Sequence, residues 1–132
     1  MKKFIIIISI VVLSISIKAI LKAETYNFDT LATAISNNDL KTLKNAKLLK
    51  DLSKIKGKLN INLLMYAAAE DNPQIAQWLI DNTKIDINEG NQYGRTALMY
   101  GASYNSLDTI KVLVKNKAAK RQAIKAQLTK KL

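Results

Sequence analysis

Residues 64–80 read Leu-Met-Tyr-Ala-Ala-Ala-Glu-Asp-Asn-Pro-Gln-Ile-Ala-Gln-Trp-Leu-Ile, and residues 98–114 read Leu-Met-Tyr-Gly-Ala-Ser-Tyr-Asn-Ser-Leu-Asp-Thr-Ile-Lys-Val-Leu-Val. Leu64 thus aligns with Leu98, and a fainter third copy starts at Leu31, nearly the same interval upstream. Self-similarity at such a period marks a solenoid, in which each repeat is one supersecondary unit and only stacking buries its apolar face. Helix punctuation repeats in step with the apolar residues. Asp29, Asn62 and Thr96 each stand two residues before the aligned Leu. All three are residue types whose side-chain oxygen accepts from the open N–H groups of a first helical turn. Ten residues further on, Asp39, Asn72 and Ser106 fall in register as a second set of caps. Pro73 directly follows Asn72, at the first helical position where a missing N–H costs nothing.

Each repeat therefore reads as a pair of short helices. The first carries small residues that let neighbours approach closely: Ala34, then Ala67 and Ala68, then Gly101 and Ala102. The second supplies bulk through Leu40 and Leu43, through Ile75, Trp78 and Leu79, and through Ile110, Leu113 and Val114. Three stacked pairs give a continuous core, about the minimum for stability.

Thr96-Ala97-Leu98-Met99 resembles the Thr-Pro-Leu-His of ankyrin repeats, and Asp86-Ile87-Asn88 resembles the Asp-Val-Asn that opens their connecting β-hairpin. Tyr93-Gly94-Arg95-Thr96 is similar to the turn into the next repeat. The resemblance covers residues 29–118 and is strongest over 62–114. It departs from the family pattern at Met65 and Met99, where His is usual, at the extra residue in Thr83-Lys84-Ile85, and at Lys117, where Gly normally ends the helix. In the first repeat no hairpin is recognisable; Leu48, Leu49, Leu52 and Ile55 suggest a helix running on toward Gly57. Gly90 and Gly94 read as hairpin residues with positive φ. The expected fold is all-α: an ankyrin-type solenoid of helix-turn-helix repeats (29–61, 62–95, 96–117) joined by short β-hairpins.

The resemblance implies a non-catalytic module that binds one protein partner on a concave surface of hairpin tips and first-helix faces. By position that surface comprises Gln92, Tyr93, Arg95, Ser103 and Tyr104 in the last repeat and Ile61, Ala69 and Glu70 in the one before. Tyr and Arg are enriched at interface hot spots. Tyr66 and Tyr100, at equal repeat positions, read as packing residues.

The rest of the composition narrows the chemistry. The 132 residues include no His, the commonest general base and metal ligand, and no Cys. No Gly-x-Ser-x-Gly elbow or phosphate-cradling loop is present, and no cofactor or metal is expected. Asp81, Asp86 and Glu89 lie near the hairpin without EF-hand spacing and read as a solvated turn. The net charge is +11, but residues 24–114 carry ten Lys/Arg against ten Asp/Glu. The excess sits in Lys2, Lys3, Lys18 and Lys22 and in the seven cations from Lys115 to Lys131. That distribution excludes a basic body gripping nucleic acid.

Residues 1–23 form a leader. Met1-Lys2-Lys3 is a basic start, and Phe4–Ile17 is an uncharged run of 14 residues, about 21 Å as a helix, short of a hydrocarbon core of about 30 Å. That length suits a secretory signal with cleavage after Ala19 or Ala23, so the body is expected to be exported, periplasmic or secreted; a monomer is expected as well. The alternative is an uncleaved membrane anchor with Lys18 snorkelling. Residues 118–132 carry Ile124, Leu128 and Leu132 on one helical stripe. They read as a helix capping the last repeat, or as a basic helix touching a membrane surface through Lys120, Arg121, Lys125, Lys130 and Lys131.

Overall fold

The computed structural model describes residues 2–131, the side chain of Ala118 excepted. Met1 and Leu132, which belong to the leader and the apolar stripe, lie outside the described residues. Among these residues there are seven α-helices: α1 (Lys2–Thr25), α2 (Phe28–Ser36), α3 (Leu40–Leu49), α4 (Leu63–Ala69), α5 (Pro73–Asn82), α6 (Ala97–Ser103) and α7 (Leu107–Lys131). Short 3-10 turns occupy Leu52–Lys54 and Lys58–Asn60. The helices pair as α2–α3, α4–α5 and α6–α7, and the first helices stack in the order α2, α4, α6. The core runs through that stack without a break, from Leu31 and Ile35 through Leu63, Leu64 and Met65 to Ala97 and Leu113.

Cap chemistry positions the helices. Asn62 accepts from the Met65 N–H at 2.9 Å and Thr96 from the Met99 N–H at 3.5 Å, as their spacing predicts. The first repeat differs. Its cap is Asn27, which accepts from the Thr30 N–H at 2.9 Å, and Asp29 lies inside the first turn of α2. The helix starts earlier because Asn27 offers the same oxygen two residues upstream, while Asp29 still faces the positive N-terminal dipole.

One motif closes all three first helices. Asn38, Asp71 and Asn105 adopt left-handed backbone, with φ of 53°, 48° and 57°. The next residue in each case, Asp39, Asn72 or Ser106, donates its N–H back to the carbonyl of Ala34, Ala67 or Gly101 at 2.7–3.0 Å. This is a Schellman closure, with Asn or Asp in the place Gly usually takes. Asp39 and Asn72 then turn round and cap the following helix, accepting from the Thr42 and Ile75 N–H groups at 3.1 Å.

Ser106 does not follow suit. Its hydroxyl is buried and has no hydrogen-bond partner. The N–H and hydroxyl of Thr109, which a Ser106 cap would have served, both donate to Asp71 Oδ1, at 3.1 and 3.0 Å. The longer Asp71 carboxylate reaches forward from the preceding repeat and takes the site. Asn72 reaches backward in the same way, its amide donating to the Ile35 carbonyl at 3.1 Å and to Asn38 Oδ1 at 3.2 Å. The inter-helix turns are thus tied into a ladder across the repeats.

The connections depart from the expected β-hairpins. No strand is present among the described residues, and one isolated antiparallel bridge joins Lys56 to Asn62. It closes the connection between the first and second repeats, where the sequence shows no recognisable hairpin. The helix there stops at Leu49, Lys50 turns extended, and Gly57 N–H donates to the Ile61 carbonyl at 2.8 Å. Asp51 halts the run by capping a 3-10 turn through the Ser53 N–H. In the second connection the equivalent closure is Asn91 N–H to the Arg95 carbonyl at 2.9 Å. Of the two glycines expected at positive φ, only Gly94 has it, at 75°. Gly90 is needed for space instead: a Cβ there would stand 2.9 Å from the Gly94 Cα.

Both ends of the chain are long helices. α1 continues through Lys18 to Thr25, so its 24 residues span about 36 Å, and it is long and apolar enough to cross a membrane. None of it is buried. At the other end α7 does not break at Lys117 to form a cap; 25 residues run as one helix, and Ala119–Lys131 are exposed. Nothing in the sequence from Lys115 to Lys131 breaks a helix, whereas the two stacked Leu-Met-Tyr motifs are left asymmetric. Met65 is fully buried between α2 and α6, while Met99, at the uncovered end, is 51% exposed.

Candidate protein-binding surface

The last repeat presents a ribbon of side chains along α6. At one end the Asn91 side chain organises the turn: its Oδ1 accepts from the Tyr93 and Arg95 N–H groups at 2.9 and 3.0 Å, and its amide donates to the Tyr100 hydroxyl at 2.9 Å. Tyr93 projects from this turn and is 68% exposed. The Arg95 guanidinium lies over the Tyr100 ring, 5.0 Å from its centroid, and donates to Ser103 Oγ at 2.6 Å. Ser103 in turn donates to the Met99 carbonyl at 3.0 Å. Tyr104 follows at the C-terminal end of α6 and is 63% exposed. Arg95 is thereby fixed by a cation–π contact and a hydrogen bond before any partner arrives, which lowers the entropy lost on binding.

The preceding repeat supplies a matching ribbon. Ala69 and Glu70 occupy the places of Ser103 and Tyr104, half-buried and exposed respectively. Ile61, in the place of Arg95, packs partly into the core and presents less surface than its position suggests. Leu59, in the place of Tyr93, is 45% exposed, and its carbonyl accepts from the Gln92 N–H at 2.9 Å, so the two loop tips are joined. The repeat offset that aligns Leu64 with Leu98 also points to Leu59, which reading by residue type passes over. The expected residues therefore form two parallel rows on one face, not a closed pocket.

Tyr66 and Tyr100 both pack against the core, as their equal positions suggest, and both also carry polar bonds. The Tyr66 hydroxyl lies 3.1 Å from Ser36 Oγ, and its ring meets Phe28 edge-on with centroids 6.0 Å apart.

The three acids near the second connection go to separate tasks. Asp81 accepts from Gln77 at 2.8 Å. Asp86 accepts from the Asn88 N–H at 3.1 Å, and that bond, with Lys120 adding to it, holds its carboxyl below the ordinary value. Glu89 is more than a solvated turn residue. Lys56 Nζ stands 2.5 Å from one carboxylate oxygen and Asn62 donates to the other at 2.8 Å, so Glu89 clamps the first connection to the second. Partial burial raises its pKa, but the Lys56 and Asn62 bonds outweigh that and leave it below the ordinary 4.5. A lowered carboxylate contributes stability that is present above its unfolded pKa and lost as pH falls through the folded value. Wild type is expected to lose more stability than Glu89→Gln when urea midpoints are compared at neutral pH and at acid pH. At neutral pH the substitution costs about 1 kcal/mol or less, since both partners are partly solvated.

An open cleft of about 590 Å³ lies elsewhere, between the C-terminal ends of α3 and α5. It is lined by Lys47–Leu52 and Asp81–Lys84.

A family model described as ankyrin repeats (3 copies) matches residues 31–124. The chain belongs to the ankyrin repeat family. The match takes in the first repeat, with its divergent connection, as well as the two Leu-Met-Tyr repeats, and extends into the α7 overhang. The stacked two-helix architecture of this ankyrin protein agrees with it, and ankyrin repeats make it a protein–protein interaction module. No curated protein matches the sequence.

Proposed function

We propose that this ankyrin protein is an exported, non-catalytic adaptor or inhibitor that acts as a monomer and holds one protein partner across the α4 and α6 faces. The observation that carries this reading is the pre-set Arg95, stacked on Tyr100 and tied to Ser103, between two largely exposed tyrosines. Tyr93 and Tyr104 supply large, stiff contact area at low entropic cost, and Glu70 with Arg95 supplies charges of both signs. Capture from the exported fraction with tagged protein is the test. Tyr93→Ala with Tyr104→Ala is expected to weaken retention of the captured partner about tenfold or more without changing the urea midpoint, since both side chains are exposed. Unchanged retention would remove this surface from the proposal.

A second reading is supported by α1, which is 24 residues long, has a mean hydropathy of 2.8 over its most apolar window, and is unburied. Retained, it would hold the module at a membrane as an anchor. Mass spectrometry of the mature protein separates the two. An N-terminus at Ile20 or Glu24 means export with cleavage, and a leader retained in the mature mass means an anchor.

A further inference from the structure

We propose that the basic overhang of α7 lies on an anionic lipid surface and holds the ankyrin stack end-on to a membrane, its inter-helix turns directed away. This surface is separate from the protein-binding rows along α4 and α6, and the orientation of the stack is argued for the chain that retains α1.

The overhang begins where α7 leaves the stack, Arg121 and Ile124 still bordering a hollow beside Asn88. Asn116 still donates to Gln77 of α5 at 2.9 Å, and Lys120 reaches Asp86 at 3.4 Å. Beyond them Arg121 to Lys131 are exposed, with four cations, no acid, and the apolar pair Ile124 and Leu128 one turn apart. Arg121, Ile124, Lys125 and Leu128 share one helical face, the arrangement of a helix that rests its apolar side at the headgroup boundary while its cations meet phosphates.

Three further features point the same end of the stack toward that surface. First, α1 passes the C-terminal end of α3, where Ala19 and Lys22 border a hollow shared with Asn45, Leu48 and Leu49. The overhang leaves past the C-terminal end of α5, so both long helices leave the stack at the end where its second helices terminate. Second, Leu48 at that end is 82% exposed. Third, the neutral body is polarised. The inter-helix turn segments 33–42, 67–76 and 101–110 hold four acids (Asp39, Glu70, Asp71 and Asp108) and one base, Lys41. The rest of residues 24–114 holds nine bases against six acids. An anionic surface attracts the overhang end and repels the turn end. A second copy of the chain would bring like charge against like charge along the overhang.

The chain has no Cys, so single-cysteine fluorophores report position cleanly. The full chain, reconstituted into vesicles containing spin-labelled lipid, carries a probe at Gln127→Cys on the overhang or at Asn37→Cys at the turn end. The Gln127 probe is expected to be quenched in phosphatidylglycerol-containing vesicles but not in phosphatidylcholine alone, and to be released by high salt. The Asn37 probe stays unquenched in both. Each cation near an anionic surface gives a roughly fivefold preference, so replacing Arg121, Lys125, Lys130 and Lys131 by Gln lowers the preference by about six-hundredfold. Replacing the three lysines by Arg retains it and controls for helix disruption. The proposal is overturned by equal quenching in neutral vesicles, by quenching at Asn37, or by indifference to the Gln substitutions. Binding of the overhang to polyglutamate but not to anionic vesicles would also overturn it and make an acidic protein the occupant.

Discussion

Leu64→Ala is expected to lower the unfolding free energy by about 3 kcal/mol, and Leu98→Ala, at the same position of the next repeat, by less than half of that. The two residues open identical Leu-Met-Tyr motifs, yet their surroundings differ. Leu64 is fully buried in α4, between α2 and α6, so truncation leaves a cavity that rigid neighbours on both sides cannot fill. Leu98 lies on α6, the last first helix of the stack, and is only partly buried. Solvent can enter the space its side chain leaves, and the residual cavity term is small. A domain of this size has about 5–15 kcal/mol of stability, so the Leu64 change removes a large share. Urea midpoints at constant m measure both. Equal losses at Leu64 and Leu98 would mean that the open end of the stack is covered in solution.

The second large effect falls at Asp71. Asp71→Ala is expected to cost about 2 kcal/mol, the sum of a lost helix cap and a left-handed backbone without a side chain suited to it. The carboxylate serves both the N–H and the hydroxyl of Thr109, itself fully buried, so removal strands polar groups that water reaches poorly. Ser106→Ala, by contrast, is expected to be neutral or slightly stabilising, because its buried hydroxyl has no partner to lose. Cap reasoning confined to one repeat predicts the opposite order, so the pair of urea midpoints decides which residue caps α7.

That reversal shows where sequence reasoning stopped. Asn62, Thr96, Asp39 and Asn72 were legible as caps because each serves a helix that begins at the next residue. Asp71 serves a helix that begins only at Leu107, a full repeat later, and no local rule reveals such a reach. The left-handed Asn38, Asp71 and Asn105 did carry a signal: Asx residues recurring at the repeat period, each one before a cap position. Read with the rule that Asn and Asp tolerate αL, they would have located all three Schellman turns.

The places of the candidate residues in the fold were legible, but the mechanics that hold them were not. Tyr93 and Tyr104 stand exposed as the repeat offset implies, whereas the stacking of Arg95 on Tyr100 depends on how the Asn91 side chain folds the turn. Burial of Ile61 depends on the path of the first connection, which bends back at Gly57 instead of continuing as helix. The path of the C-terminal helix was not legible for a different reason. An apolar stripe of Ile124 and Leu128 fits a helix that folds back on the stack as well as one that runs on, and the absence of Gly and Pro after Lys115 favours running on.

Photo-crosslinking from single cysteines tests the central claim most directly. With the benzophenone label at Gln92, in the connection beside the α6 face, one specific adduct with the captured partner is expected. From Lys44 or Gln74, exposed on α3 and α5, no adduct is expected. Adducts of equal yield from the α3 and α5 positions, or from those positions alone, would contradict it.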